Sequence, residues 1–321
     1  MAQTRRPWML PLVPLYAAGA ALRWAVVEPK KLGWPVIGIG NLSTGGTGKT
    51  PFTIALARLL QDEGFHVDVL SRGYGRNTSA VEQVDPFGDA ARFGDEPLLI
   101  SRATGLPVFV GPSRFDAGKL AETVLVETPG IHLLDDGFQH RQLARQTDIV
   151  LINSEDLADH LLPAGNLRES HSALRRATVF AIPVGDRPAA EKLRALGLTQ
   201  PIWYFNRRME IPKIGGKVVA FCGIARPEQF FTGLEQSGLA LAARHAFRDH
   251  QQLGAAELAL LKSLIEKTGA ATLITTTKDH VRLGAMASEL DRIAPLHVAD
   301  LRVELDEPAS IAVWLRSRLQ D

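Results

Sequence analysis

The sequence is short of cysteine. Among its 321 residues there is one, Cys222, so no intrachain disulfide can form, and the simplest setting is a reducing, cytoplasmic one. Charge of one sign is also missing. The 36 Lys and Arg face 35 Asp and Glu, and a formal net charge of +1 supplies no global field for a nucleic acid. There is no internal repeat and no low-complexity tract. No apolar run near the N-terminus is long enough to cross a bilayer. Residues 8–22 are fifteen without a charge, short of the ~20 a spanning helix needs, and Pro11 and Pro14 break their start. What remains is an ordinary globular composition, 45% hydrophobic and 22% charged, long enough for a large core and two domains.

The chain is organised around residues 38–50, GIGNLSTGGTGKT. The apolar run Val36-Ile37-Gly38-Ile39 before them reads as a buried strand. After them, Phe52, Ala55, Leu56, Leu59 and Leu60 are spaced as one face of a helix. A glycine-rich turn between strand and helix gathers backbone N–H groups around one point, faced by the positive end of the helix dipole. A phosphate chain fits there: Ser43, Thr44, Gly45, Gly46, Thr47 and Gly48 form the cradle, Lys49 reaches the β- and γ-phosphates, and the Thr50 hydroxyl ligates Mg²⁺. The usual first glycine of this P-loop is Ser43. The bland alternative is a glycine-rich turn with a surface lysine.

Ahead of the P-loop, Arg5, Arg6, Arg23, Lys30 and Lys31 flank or interrupt the uncharged stretch against one acid, Glu28, with Trp8 and Trp24 near its ends. A signal peptide begins similarly, but the P-loop strand follows within a few residues. The pattern suits an interfacial helix on an anionic inner leaflet; a helix packed on the chain's own core is the alternative. Downstream, residues 65–71 read as a strand followed by the loop Ser71-Arg72-Gly73-Tyr74-Gly75-Arg76, whose Arg72 and Tyr74 suit an anionic headgroup. Asp95, in Gly94-Asp95-Glu96-Pro97, is either a helix cap or a base beside the transferred phosphate. Ser113 caps a helix carrying Arg114 in its first turn, an unfavourable place for a cation unless it meets an anion. The apolar strand ending in Asp135-Asp136 falls about 85 residues after the P-loop, where a metal-linked acid is expected. The polar loop 137–141, with His140, follows it at the same sheet edge, and the loop 162–169, with Arg168 and Glu169, leads to a further helix.

Residues 211–217 are the best linker, and the β-α pattern restarts beyond them without a phosphate loop. The expected organisation is an N-terminal membrane-associated helix over 1–30, a P-loop domain over 31–212 and a smaller α/β domain over 213–321. The fold class is α/β: a mostly parallel, P-loop NTPase-like sheet flanked by helices. His250, in Phe247-Arg248-Asp249-His250, is by itself more often a surface or cap histidine than a catalytic one.

Taken together, these segments resemble the tetraacyldisaccharide 4'-kinases of lipid A biosynthesis over nearly the whole length. The resemblance rests on GNLSTGGTGKTP, SRGYGR, GDEP, LLDDGFQHR, PAGNLRE, FRDH and TTTKDHVRL in that order. It implies transfer of the γ-phosphate of ATP to the 4'-hydroxyl of a tetraacyldisaccharide 1-phosphate, with Mg²⁺, at the cytoplasmic face of the inner membrane. It implies a glycolipid substrate held at the membrane and an N-terminal helix on that membrane; the charge balance gives no reason to expect nucleic acid, and no obligate protein partner is evident. Residue by residue, it implies that residues 43–50 hold ATP, that Thr50, Asp135 and Asp136 are linked to the metal, and that Asp95 is the base with His250 as its partner. Arg72, Tyr74, Arg114, His140 and Arg168 become contacts to the polar head or to phosphates, with Glu96 and Glu169 behind them. Gln251 stands where many relatives carry a second histidine. Two competing readings are a P-loop ATPase switch or metallochaperone without a small acceptor, and a membrane-associated nucleotide-binding scaffold. The resemblance leaves Lys278 and Asp279 undecided between catalytic and structural roles.

Overall fold

Val36–Asn41 (β1) is buried along its whole length on both faces, as its uninterrupted apolar run requires of a central parallel strand. In a computed structural model, which describes residues 5–25, 27–127, 129–249, 251 and 253–319, this strand sits in a mixed sheet. The further strands are Val67–Ser71 (β2), Glu82–Gln83 (β3), Val108–Val110 (β4), Ile131–Leu134 (β5), Thr147–Leu151 (β6), Val179–Pro183 (β7), Ile202–Glu210 (β8), Lys217–Cys222 (β9), Ala240–Ala246 (β10), Thr272–Thr276 (β11) and Leu296–Leu305 (β12). Their order across the sheet is β10-β9-β11-β12-β8-β7-β6-β1-β5-β2-β4-β3. Pairing is parallel except between β12 and β8 and between β3 and β4.

The helices are Val13–Ala25 (α1), Lys49–Asp62 (α2), Ala90–Phe93 (α3), Asp95–Thr104 (α4), Arg114–Val124 (α5), Arg187–Ala195 (α6), Pro227–Gln236 (α7), Ala255–Thr268 (α8), Thr277–Leu283 (α9), Met286–Ile293 (α10) and Pro308–Leu319 (α11). The apolar face of α2 packs Phe52, Leu56 and Leu60 on Ile37 and Ile39, and the Phe52 ring meets Phe205 of β8 edge-on at 5.4 Å. Leu42, Phe138, Val150 and Phe180 build a second core, and Val219, Phe221, Leu261 and Leu273 a third beyond β8. Cys222 is buried at the end of β9, as a small core residue, and burial and then Asp279 push its thiol up to about 12.

Strand β8 is apolar in its first half and polar in its second. Residues 202–205 pair with β7, while residues 205–210 pair with Asp300–Leu305 of β12, and this second part is polar because it is only partly buried. The unforeseen β10 lies at the sheet edge, where Ala-Leu-Ala-Ala-Arg-His-Ala carries little of the β-branched signal.

The N-terminal stretch forms a 3₁₀ turn, Pro7–Leu12, and then α1. Trp8, Leu15 and Leu22 are each more than 70% exposed there. Its attachment is polar: Arg6 N donates to the Ala164 carbonyl at 2.7 Å and the Tyr16 hydroxyl to the Arg168 carbonyl at 3.1 Å. Among the described residues no helix is long and apolar enough to cross a membrane.

Candidate active site

The P-loop is the turn from β1 into α2. Only Gly45 and Gly48 in it need positive φ, at 109° and 83°. Ser43 does not, which is why a serine serves at the first glycine position. It is fully buried, and Asn41 Nδ2 donates to its carbonyl at 2.9 Å and its hydroxyl at 3.2 Å. The loop 161–168 clasps the same turn from outside: Arg168 N donates to the Leu42 carbonyl and Thr44 N to the Asn166 carbonyl, both at 2.8 Å. Lys49 begins α2 and points back across the turn, with Nζ 3.0 Å from Asn41 Oδ1.

Register explains the next neighbour. Gly38 pairs with Leu134 of β5, so the residues after β5 lie beside the end of β1, and Gly137 N closes on the Ile39 carbonyl at 2.8 Å. Asp136 holds a φ of 49°, a left-handed conformation that a short polar side chain tolerates. Its carboxylate meets Lys49 at 3.4 Å and Arg168 at 3.0 Å. Burial acts to raise it, but the two cations prevail and hold it at about 2. Asp135 is buried and accepts from Thr53 Oγ1 at 3.2 Å. Burial first, then the charges of Glu96 and Asp136, raise its carboxyl to about 7. A carboxyl so destabilised as an anion is suited to a divalent cation. Among the described residues no three His, Cys, Asp or Glu gather into a cage. Mg²⁺ needs none: one or two carboxylates suffice when water and phosphate oxygens complete the octahedron, and Thr50 stands at the start of α2. The residues therefore fit Mg²⁺.

A cationic corner lies on the far side of β5. Arg114, the first residue of α5 behind the Ser113 cap, donates to the Pro112 carbonyl at 3.0 Å and places Nη2 2.9 Å from His140 Nδ1. Burial and then neighbouring Arg72 lower Arg114 to about 10. Burial, Arg114, Arg145 and Arg72 together lower His140 to about 3, so its ring is neutral and Nδ1 accepts from Arg114. Arg114 Nε is buried without a partner, which leaves one guanidinium N–H for an incoming anion. Arg72 is exposed beside it, and Tyr74, also exposed, lines the cavity next to Asp95. Glu169 accepts from Arg141 at 2.7 Å and from Arg176 at 2.9 Å, and so braces the loop that carries Arg168.

Asp95 is the first residue of α4; Gly94 takes the cap position, so the capping alternative does not describe it. Its Oδ1 accepts from Glu96 N at 2.9 Å and its Oδ2 from Arg282 Nη2 at 2.9 Å. Lys278 Nζ reaches Glu96 at 3.0 Å and Asp95 at 3.8 Å. Asp279 fixes the same turn of α9, accepting from Gly223 N at 3.0 Å and from Arg282 Nη1 at 3.1 Å. A cavity of about 570 Å³ opens beside Asp95, lined among others by Tyr74, Arg102, Leu253, Arg282 and Met286. His250, the expected partner of Asp95, lies outside the described residues. Gln251 serves the start of α8, its amide donating to Glu257 at 2.9 Å.

The P-loop, Asp135, Asp136 and Arg168 thus share one place, with Glu96 close enough for its charge to act on Asp135. Asn41, Thr53 and Arg282 also belong to the site, though the sequence alone assigns them no role. For Arg282 a signal existed: Lys278, Asp279 and Arg282 lie three and four positions apart, on one face of a short helix.

The family model described as Tetraacyldisaccharide-1-P 4'-kinase matches residues 5–320. A tetraacyldisaccharide 4'-kinase of Koribacter versatilis is 41% identical over 313 residues, covering 92% of this chain and 94% of that one. One from Geobacter metallireducens is 38% identical over 301 residues, covering 88% of each. Among solved structures, that of LpxK from Aquifex aeolicus in complex with ATP is similar with a TM-score of 0.73 and 28% identity, covering 97% of this chain and 98% of that one.

Proposed function

The chain belongs to the tetraacyldisaccharide-1-P 4'-kinase family, and from that premise we propose how its residues divide the work. It is an ATP-dependent kinase that phosphorylates the 4'-hydroxyl of a tetraacyldisaccharide 1-phosphate in lipid A biosynthesis; the ATPase-switch and metallochaperone alternative is not favoured. The observation that carries the assignment of residues is the meeting of Lys49, from the P-loop, with Asp136, from the end of the neighbouring strand, at 3.4 Å.

Phosphoryl transfer needs positioning and charge neutralisation more than covalent help. ATP is the γ-phosphate donor, residues 43–50 hold it, and Lys49 neutralises its phosphates. Thr50, Asp135 and Asp136 would hold Mg²⁺, which would supply positive charge to offset that of the phosphates. Asp95 accepts the proton of the 4'-hydroxyl as the oxygen–phosphorus bond forms and ADP departs with the electrons of the bond that breaks. His250 assists Asp95. Arg72, Tyr74, Arg114, His140 and Arg168 receive the glycolipid's phosphate and sugar, backed by Glu96 and Glu169.

The chain works as a P-loop domain over 31–212 and a smaller domain over 213–321, with its site between them. The exposed Trp8, Leu10, Leu12, Leu15 and Leu22 support a peripheral seat for residues 1–30 on the cytoplasmic face of the inner membrane. Tyr16 then ties that seat to the loop of Arg168. The test is transfer of label from γ-labelled Mg-ATP to a tetraacyldisaccharide 1-phosphate in detergent micelles. Labelled lipid is the expected product; labelled free phosphate without labelled lipid contradicts the kinase assignment.

A further inference from the structure

Two arginines from outside the P-loop stand against it with hydrogen-bonding capacity left over. Arg207 of β8 donates through Nη2 to the Thr47 carbonyl. Its guanidinium lies 3.3–3.5 Å from where a Cβ on Gly48 would stand. Arg226 ends the loop between β9 and α7. Its neighbour Ala225 places a Cβ 4.0 Å and 3.8 Å from the corresponding positions on Gly45 and Gly46. That loop is anchored at Gly223 by Asp279 and by Arg282, and Arg282 also holds Asp95.

Each arginine keeps one buried guanidinium nitrogen without a hydrogen-bond partner among the described residues. Arg226 Nη1 has Glu155 at 3.5 Å, a carboxylate 64% exposed, while the arginine is 13% exposed. Asp156 is fully buried close by, but neither arginine donates to it. Arg207 Nε, Arg226 Nη2 and the Thr47 hydroxyl are all buried without a hydrogen-bond partner. Burial and then Arg226 lower the proton affinity of Arg207. Buried guanidinium N–H groups without acceptors are costly, and beside a phosphate-binding turn a bound ligand can supply the acceptors. The phosphoryl oxygens that residues 43–50 are built to hold are such acceptors. Lys49 already shares its charge with Asn41 and Asp136.

We propose that Arg226 is a γ-phosphate contact delivered in cis from the far side of β8, and that Arg207 is a positioning residue that sets the P-loop through the Thr47 carbonyl. This rests on the kinase reading above. The transition state of phosphoryl transfer spreads charge over the equatorial oxygens of the moving group, and an arginine added to the P-loop stabilises that charge. Because the Arg226 loop and Asp95 share Arg282, one guanidinium network sets both the donor end and the acceptor end of the reaction.

The test compares the intact protein with Arg226→Gln and Arg207→Gln, using a hydrolysis-resistant ATP analogue and ADP, each with Mg²⁺, in calorimetry. Arg226→Gln is expected to weaken the triphosphate about tenfold or more and ADP less than about threefold, and to lower kcat for lipid phosphorylation about 10²-fold. Arg226→Lys restores part of both losses. Arg207→Gln weakens the two nucleotides alike. A wild-type ratio of triphosphate to diphosphate affinity in Arg226→Gln overturns the proposal, whether both affinities hold or both fall. If that variant does not fold, Arg226→Met is judged on the same ratio. The ratio needs no acceptor, so it still judges Arg226 if the lipid is not phosphorylated and the kinase reading itself fails.

Discussion

Arg282 Nη2 lies 2.9 Å from Asp95 Oδ2, and each side chain is only 6% exposed. The pair joins residues 187 positions apart, from the first turn of α4 to the last turn of α9. The candidate base is therefore a carboxylate gripped by a buried guanidinium, with Lys278 at 3.8 Å as a second cation. A carboxylate held in this way is geometrically fixed and suits an in-line attack, where orientation supplies much of the rate.

Removal of Arg282 strips a partner from two buried acids, Asp95 and Asp279, at once. Breaking a buried ion pair on one side costs about 3–5 kcal/mol. Arg282→Ala is accordingly expected to unfold at a much lower urea concentration with an unchanged m-value. A loss below about 1 kcal/mol contradicts a stabilising role for the network.

Gly48→Ala strains the backbone at φ 83° and drives a methyl group to within 3.3 Å of the Arg207 guanidinium. The expected outcome is a loss of ATP affinity of tenfold or more, about 1.4 kcal/mol, read by calorimetry. Gly64→Ala is the control: its φ is 82° and nothing lies within 4 Å of the added methyl, so ATP affinity should not change.

His140 titrates at about 3 in the folded chain, below its ordinary value of 6.5. Between those values the unfolded chain binds a proton that the folded chain refuses, so stability falls as pH drops from 6.5 toward 3. The slope from this one group is on the order of 1 kcal/mol per pH unit. Wild type should lose more stability between pH 7 and pH 5 than His140→Gln, measured by urea unfolding at both pH values. Equal losses show that His140 is not held neutral by its arginines.

Much of this site was legible from residue order alone. The P-loop, the pair Asp135-Asp136 and the strands around them announce themselves because glycine turns and apolar runs are local signals. The strain at Asp136 and the tolerance for Ser43 needed the backbone: which loop positions demand positive φ depends on how the turn closes. Arg207, Arg226 and Arg282 stayed hidden for another reason. Each contacts a residue more than 50 positions away, and an arginine in a polar stretch looks the same whether it faces water or a buried partner. Strand β10 was missed because an alanine-rich edge strand buries too little to leave a pattern.

Removal of residues 1–27 takes away the exposed Trp8, Leu15 and Leu22 and the contacts to the 161–168 loop. The truncated protein should no longer sediment with vesicles containing anionic lipid, while the full chain does. Equal sedimentation of the two forms contradicts a membrane seat on this segment.

In the proposed reaction Asp95 receives the proton of the attacking hydroxyl beside an ATP held by residues 43–50. The most direct measurement is lipid phosphorylation by wild type and Asp95→Asn, with Mg-ATP affinity measured on both proteins. The expected result is a fall in kcat of about 10²-fold or more with ATP affinity kept within about threefold. A variant that phosphorylates lipid at close to the wild-type rate, or one that loses ATP binding in proportion to activity, contradicts it.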